Sequence, residues 1–224
     1  SALNCKKGKP VIIGVIPARL NSTRFPSKVI FPLKGKPIIE HVYDKALQSD
    51  LLSKVIVAVD SEETKNVINC QNIMMTSDKH QSGTDRVAEV ANKFDCDVIV
   101  NIQGDEPGID PFLIDQLIAL FEDPRVEMAS IASTDLQEDD LNNDNVVKVN
   151  LDKENNAISF IRNNLNPELT YYRHIGIYAY RKNTLNLFTS LTQSDNEKNH
   201  RLEQLRALDN NIAIKLLISD FSHR

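Results

Sequence analysis

Four short apolar runs rich in β-branched residues, VIIGVI (11–16), KVIVAVD (54–60), NIMMTS (72–77) and DVIVNIQ (97–103), alternate with segments of helical periodicity. A strand that is apolar on both faces must be covered on both, and a parallel sheet flanked by helices does this. The intervening segments fit that role. Residues 37–48 read as a helix with Pro37 in its first turn and Ile38, Ile39, Val42 and Ala46 on one face. Ser61 is placed to cap a helix running to about residue 69. Residues 84–94 and 111–121 read as two further helices. The βαβα order predicts an α/β, Rossmann-like, three-layer αβα fold with a mostly parallel central sheet.

The second half has a different rhythm. Residues 126–134, 145–151, 157–161 and 172–180 read as strands, 182–190 and 197–209 as helices, and 211–219 as a last strand. The expectation is a single domain over residues 1–224 with a β-rich arm at about 125–180, a candidate dimerisation element. A chain of 224 residues can bury the core such a domain needs.

No apolar run approaches the roughly 18–20 residues that span a bilayer, and the first residues carry no apolar leader segment. The three cysteines, Cys5, Cys70 and Cys96, are odd in number and lack metal-ligand spacing, as do His41, His80 and His200. Reduced thiols and a cytoplasmic location are expected. The net charge of −5 argues against a nucleic-acid binder. Its distribution is uneven, because eight of the 26 Lys and Arg residues and none of the 31 Asp and Glu fall within residues 1–39. A basic segment on an acidic chain points to a local anion site.

In open α/β sheets ligands bind beyond the carboxyl ends of the strands. Three polar segments fall there. PARLNSTRFPSK (17–28) follows the first strand and offers Arg19, Arg24 and Lys28 to phosphate oxygens. It has neither the Gly-x-Gly-x-x-Gly pattern of dinucleotide folds nor the Gly-Lys-Ser/Thr of a P-loop, so a dehydrogenase is a poor reading. SDKHQSGTDR (77–86) places Ser82, Gly83 and Thr84 at a helix start, where backbone N–H groups bind anions or base edges. QGDEP (103–107) ends the fourth strand with Asp105. A carboxylate beside a phosphate-binding loop is suited to Mg²⁺, a hard cation that takes carboxylate and phosphate oxygens.

IPARLNSTRFPSK, TSDKHQSGTDR, NIQGDEP, NVVKVNLD, YYRHIGIYAYR and LEQLRAL occur in this order. Together they resemble the 3-deoxy-manno-octulosonate cytidylyltransferases (CMP-Kdo synthetases) of the nucleotide-sugar transferase superfamily, from about residue 11 to 218. The resemblance implies an enzyme that couples CTP to the acidic sugar Kdo for lipopolysaccharide synthesis, with Mg²⁺; a homodimer is expected from the β-rich arm, and no nucleic-acid or membrane partner from the charge balance and the apolar runs. It implies catalytic roles for Arg19, Lys28 and Asp105, with Asp105 as the metal ligand. CTP contacts fall to Arg19, Ser22, Arg24, Lys28, Ser82, Gly83 and Thr84. Sugar contacts fall to Gln103, Arg162, His174, Tyr178, Glu203 and Gln204. Read alone, His174 and Tyr178 also fit packed positions of a strand. Arg206 stands at i+3 from Glu203, a pairing distance on a helix.

The chain departs from the family pattern in two places. Family members continue past the last strand into a Gly-Val-Asp-Thr segment that supplies a second Mg²⁺ carboxylate, whereas this sequence stops at SDFSHR (219–224). Their Ser-Arg-x-x-Ile-Pro stretch reads IRNNLNPELTYY (161–172), keeping Arg162. These differences leave open an amino-Kdo or sialic-acid-like substrate, and a nucleotide-binding homologue without turnover.

Overall fold

The computed structural model of the chain describes residues 8–19 and 28–222. Its contacts cluster into two compact units, one ending at Ile118 and the other spanning Ala119–Ser222. The fold is α/β, as the alternation of runs predicts.

In the first unit, β1 (Ile12–Ala18) is flanked by β4 (Lys54–Val59) and β6 (Val98–Asn101), and β5 (Ile73–Met75) lies beyond β4. Each of these three ladders is parallel, with Ile13 opposite Lys54, Ile12 opposite Val98 and Val57 opposite Ile73. Val55 to Val59 and Val98 to Val100 are buried throughout. That explains the absence of a polar face in those runs. Each buried Val or Ile contributes about 1.5–3 kcal/mol of transfer free energy.

Helix α1 (Ile38–Leu47) covers the sheet with Ile39, Val42, Tyr43 and Ala46. Tyr43 joins the expected set, and Ile38 is only half-buried. The Tyr43 hydroxyl accepts the Asn72 N–H at 3.3 Å, which ties the approach to β5 onto this helix. Ahead of α1, β2 (Pro32–Leu33) and β3 (Lys36–Pro37) form a hairpin absent from the sequence reading. Lys34 and Gly35 turn it with positive φ angles of 52° and 84°, the double left-handed turn that tight hairpins favour. Ser61 caps α2 (Glu62–Asn66) by accepting the Thr64 N–H, and the helix ends three residues before the expected limit. Helices α3 (Gly83–Ala91) and α4 (Pro111–Ala119) complete this unit.

In the second unit, β7 (Met128–Ser133) pairs in parallel with β11 (Ile214–Ser219) and antiparallel with β10 (Tyr172–Arg181). β10 also pairs with β8 (Lys148–Leu151), which forms a hairpin with β9 (Ala157–Ile161). A short helix, α5 (Glu138–Leu141), lies between β7 and β8 and was not anticipated. A register shift between Ile175 and Ala179 puts a bulge in β10. Helix α6 (Lys182–Ser190) follows as expected.

The helix expected over 197–209 is two helices, α7 (Asp195–His200) and α8 (Leu205–Asp209). Arg201 takes the left-handed conformation, φ 55°, and ends α7. A non-glycine residue there costs free energy, so surrounding contacts must hold it. A buried, bidentate ion pair does part of this. Arg206 Nε and Nη2 donate to the two Glu197 oxygens at 2.8 Å each, and its guanidinium lies 4.7 Å from the Phe188 ring centre. The bidentate partner of Arg206 is therefore Glu197, across the break, rather than a residue of one continuous helix.

Candidate active site

In the first unit a cavity of about 290 Å³ opens where β1 and β6 end and α3 begins, and Arg19, Lys28, Gly83, Arg86, Gln103 and Asp105 line it. This is the place the strand-end rule assigns to a ligand. Lys28, at the start of a 3₁₀ turn (Lys28–Ile30), donates from Nζ to Asp105 Oδ2 at 3.0 Å. Their side chains are 40% and 37% exposed, so both remain open to a ligand. Gly104 fits because its neighbours crowd it. A Cβ there would lie 3.3 Å from Val29 Cγ1 and 3.4 Å from Ile16 Cγ2. Absence of a side chain lets the 103–105 backbone sit tightly against β1 and presents Gln103 and Asp105 on either side of it.

The loop before α3 is pinned by its own helix. Ser82 accepts the Asp85 N–H at 3.1 Å as the N-cap. Its hydroxyl is thus a capping group, while Gly83 lines the cavity and Thr84 is buried. Arg86, 2% exposed, donates from Nη1 to Thr76 Oγ1 at 2.6 Å and to the Ser77 carbonyl at 2.8 Å. Burial pulls its pKa down; Asp60 opposes the fall and nearby Arg19 adds to it. Glu89, one turn on, accepts the Ser77 N–H at 2.8 Å and bonds His80 Nε2 at 3.0 Å. Burial opposes ionisation of Glu89, but the Ser77 N–H, His80 and Lys93 together hold its carboxyl below the usual range. Sequence reasoning did not single out Arg86 or Glu89. The available signal was a charged residue on the buried face of α3, between Thr84 and Val87.

Of the sequence-derived nucleotide set, Arg19, Lys28, Gly83 and Asp105 line one cavity. Ser22 and Arg24 lie outside the described residues. Among the described residues no group of three or more His, Cys, Asp or Glu side chains could hold a metal ion. A cation at Asp105 would need its other ligands from phosphate oxygens and water, which is how Mg²⁺ is commonly held. The half-exposed carboxylate fits that role.

Gln103 belongs to the first unit and lines its cavity. The other residues expected to meet the sugar belong to the second unit. His174 on β10 packs edge-on against Phe160 at 4.9 Å and Tyr178 at 5.5 Å, centre to centre. Its Nε2 lies 2.8 Å from Ser130 Oγ, and burial pushes its pKa down to about 3. Tyr178 stacks on Tyr180. Burial first, then Tyr180 and the Glu203 carboxylate, hold its hydroxyl pKa well above the ordinary value. Glu203 lines a surface cavity of about 410 Å³ with Lys198 and Arg201, and Gln204 is buried at the start of α8.

Arg162, just after β9, directs its guanidinium to main-chain carbonyls: His200 at 3.1 Å, Asp144 at 2.8 Å and Arg201 at 2.9 Å. It thereby ties β9 to the turn that precedes Glu203. Lys148, fully buried, donates to the carbonyls of Asn143 (2.9 Å) and of Arg162 itself. Desolvation lowers the Lys148 pKa, with Asp144 and Asp140 opposing the shift.

The cytidylyltransferase family model matches residues 13–215. The 3-deoxy-manno-octulosonate cytidylyltransferase of Geobacter metallireducens is 39% identical, covering 94% of this chain and 90% of its own. That of Koribacter versatilis is 41% identical, covering 90% and 80%. A solved structure of CMP:2-keto-3-deoxy-manno-octonic acid synthetase complexed with CTP superposes with a TM-score of 0.87 at 33% identity, covering 93% of this chain and 90% of that one. A cytidylyltransferase from Leptospira borgpetersenii, 15% identical with a TM-score of 0.63, shares the fold.

Proposed function

The chain belongs to the cytidylyltransferase family, and from that premise we propose that it couples CTP to 3-deoxy-manno-octulosonate, giving CMP-Kdo and pyrophosphate for lipopolysaccharide synthesis. The observation that carries this reading is the Lys28–Asp105 pair, 3.0 Å apart in a cavity at the carboxyl ends of β1 and β6. A half-exposed cation for phosphate and a carboxylate for a metal stand side by side, which suits nucleotidyl transfer.

In this reading the triphosphate lies over the first loop, against Arg19, Ser22, Arg24 and Lys28, and the base meets Ser82, Gly83 and Thr84. Asp105 would hold Mg²⁺ carried in with the nucleotide; bound there, the ion neutralises phosphate charge and acidifies a nearby hydroxyl. The C2 hydroxyl of Kdo attacks the α-phosphorus in line. The bond to the bridging oxygen breaks, pyrophosphate leaves, and the hydroxyl proton passes to solvent. Arg19 and Lys28 neutralise charge that grows on the phosphate oxygens, and the protein otherwise acts by positioning. The residues proposed to contact the sugar are Gln103 of the first unit and, of the second, Arg162, His174, Tyr178, Glu203 and Gln204, with Arg162 acting on the turn that carries Glu203.

We also assign the β-rich stretch at about 125–180 to a homodimer contact, supported by the exposed apolar side chains of Ile158 and Leu169, and place the enzyme in the cytoplasm. No described helix is long and apolar enough to cross a membrane. One observation favours a second reading, an amino-Kdo or sialic-acid-like acceptor: the 161–172 segment near Arg162 departs from the family pattern.

Pyrophosphate release from CTP and Mg²⁺, with and without Kdo, tests the proposal. Kdo-dependent release is the expected result. Release with another acidic sugar instead would support the second reading, and CTP binding without release under any sugar would make the protein a nucleotide-binding homologue.

A further inference from the structure

Ser130 sits on β7 with no exposed surface. Its Oγ lies 2.8 Å from His174 Nε2, 3.1 Å from the Ile175 carbonyl and 2.9 Å from the Ile177 carbonyl. These two carbonyls belong to the bulged part of β10. A hydroxyl has one proton, and a carbonyl can only accept. The Ser130 proton therefore serves one or both carbonyls, and an oxygen lone pair faces the histidine. An unprotonated Nε2 at 2.8 Å would set two lone pairs against each other at a hydroxyl with no exposed surface. Nε2 must carry the hydrogen. In a neutral imidazole the other nitrogen, Nδ1, then carries the lone pair.

Burial keeps the ring neutral, since it depresses the His174 pKa to about 3. The residue nonetheless retains part of its surface, as does Tyr178 two pairs along the strand. A neutral ring with an accepting Nδ1 can receive a hydrogen bond from a hydroxyl and repels a carboxylate.

We infer that Ser130 is a positioning residue that locks His174 as its Nε2–H tautomer, so that Nδ1 accepts from a hydroxyl of the sugar rather than contacting its carboxylate. The inference rests on His174 facing the sugar, and its test separates the two. The protein is labelled with ¹⁵N-histidine, and its ring nitrogens are read by long-range proton–nitrogen correlation. His174→Gln identifies the signal among the five histidines.

The expected spectrum shows a protonated Nε2 and a bare Nδ1, and saturating Kdo moves the Nδ1 resonance toward that of a hydrogen-bonded acceptor. Ser130→Ala should populate both tautomers. It should raise KM for Kdo about five- to tenfold, the loss of one well-placed neutral hydrogen bond, with KM for CTP unchanged. An Nδ1–H ring in the unliganded protein overturns the tautomer assignment, and needs no variant that folds. A ring doubly protonated on Kdo binding, or an unmoved Nδ1 resonance at saturation, overturns hydroxyl recognition. Absence of Kdo turnover in the wild-type enzyme would instead sink the substrate assignment and leave the tautomer to be decided by the unliganded spectrum.

Discussion

Replacing Glu89 with alanine should weaken CTP binding without touching any group that meets the reacting atoms. Glu89 closes the 77–82 loop onto α3 through the Ser77 N–H at 2.8 Å and His80 Nε2 at 3.0 Å. Its third contact, to Lys93 at 3.2 Å, is an i,i+4 surface pair worth only about 0.3–0.5 kcal/mol. A hydrogen bond to a charged acceptor is worth about 1.5–3 kcal/mol, and the 25% exposure of the Glu89 side chain pulls this toward the lower end. Counting the Ser77 bond at about 1.5 kcal/mol and the Lys93 pair at about 0.4, with the part-exposed His80 ring exchanging Glu89 for water at little cost, the total is about 2 kcal/mol. Arg86 still grips Thr76 and the Ser77 carbonyl in the variant, so the sheet is not disturbed. The loss falls on loop order, which the nucleotide must then restore on binding. Kd for CTP by calorimetry should rise roughly ten- to thirtyfold, with kcat within about threefold of wild type. Tm should fall by about 4–8 °C, at the 2–4 °C per kcal/mol of a chain this size. Glu89→Gln, which keeps an acceptor for Ser77, should fall between the two. A lower Tm with unchanged CTP affinity would refute the argument, because the loop would then be held by Glu89 to no functional end.

Asp105→Asn should lower kcat by at least about a hundredfold in the pyrophosphate assay. It should leave Tm within a degree or two, since the Lys28 pair is half-exposed and worth under about 1 kcal/mol. Near-normal turnover would remove Asp105 from its role. Glu197→Ala strands the buried Arg206 guanidinium and should cost about 3–5 kcal/mol in urea unfolding; a cost under about 1 kcal/mol would mean the guanidinium regains water. His174 has a folded pKa depressed to about 3 by burial, against about 6.5 in the unfolded chain. Between those values the unfolded state binds the extra proton, so stability is full above about 6.5 and declines as pH falls toward 3. His174→Gln should flatten that part of the stability–pH curve, and an unchanged slope would show that the ring titrates normally. The Glu89 carboxyl, held below its usual range, adds a loss of the same sign as pH falls through its folded value.

The sheet of the first unit was legible because its strands are apolar on both faces, a pattern that only burial on both sides accommodates. Boundaries were read less well where a single backbone conformation decides them. No glycine or proline interrupts residues 195–209, and nothing in an arginine signals φ 55°. The break exists because Glu197 and Arg206 lock the two short helices together from either side of it. The 32–37 hairpin escaped for a related reason: its strands are two residues long, below the length at which alternation can be seen.

The site divides along the same line. Loops at strand ends are recognisable because polarity appears abruptly after an apolar run, and Arg19, Lys28 and Asp105 were found that way. Groups that orient those loops were missed, because their roles depend on distant partners. Ser130 lies in MASIAS (128–133), where a small polar residue reads as filler, and its function is defined by a bulge 45 residues away. Arg162 makes the point most sharply. An arginine after a strand suggests an anion ligand, and the family resemblance places it near the sugar. Its guanidinium is nevertheless turned toward carbonyls freed by the left-handed residue at 201 and by the loop at Asp144. A planar fork of five donors suits several carbonyls at once, whereas a lysine could only pivot among them. A place near the sugar and contact with it are therefore separate proposals for Arg162. Arg162→Ala assayed against Kdo and its carboxamide distinguishes them: equal losses mark a residue that shapes the turn, and a loss confined to the acid marks one that binds the carboxylate.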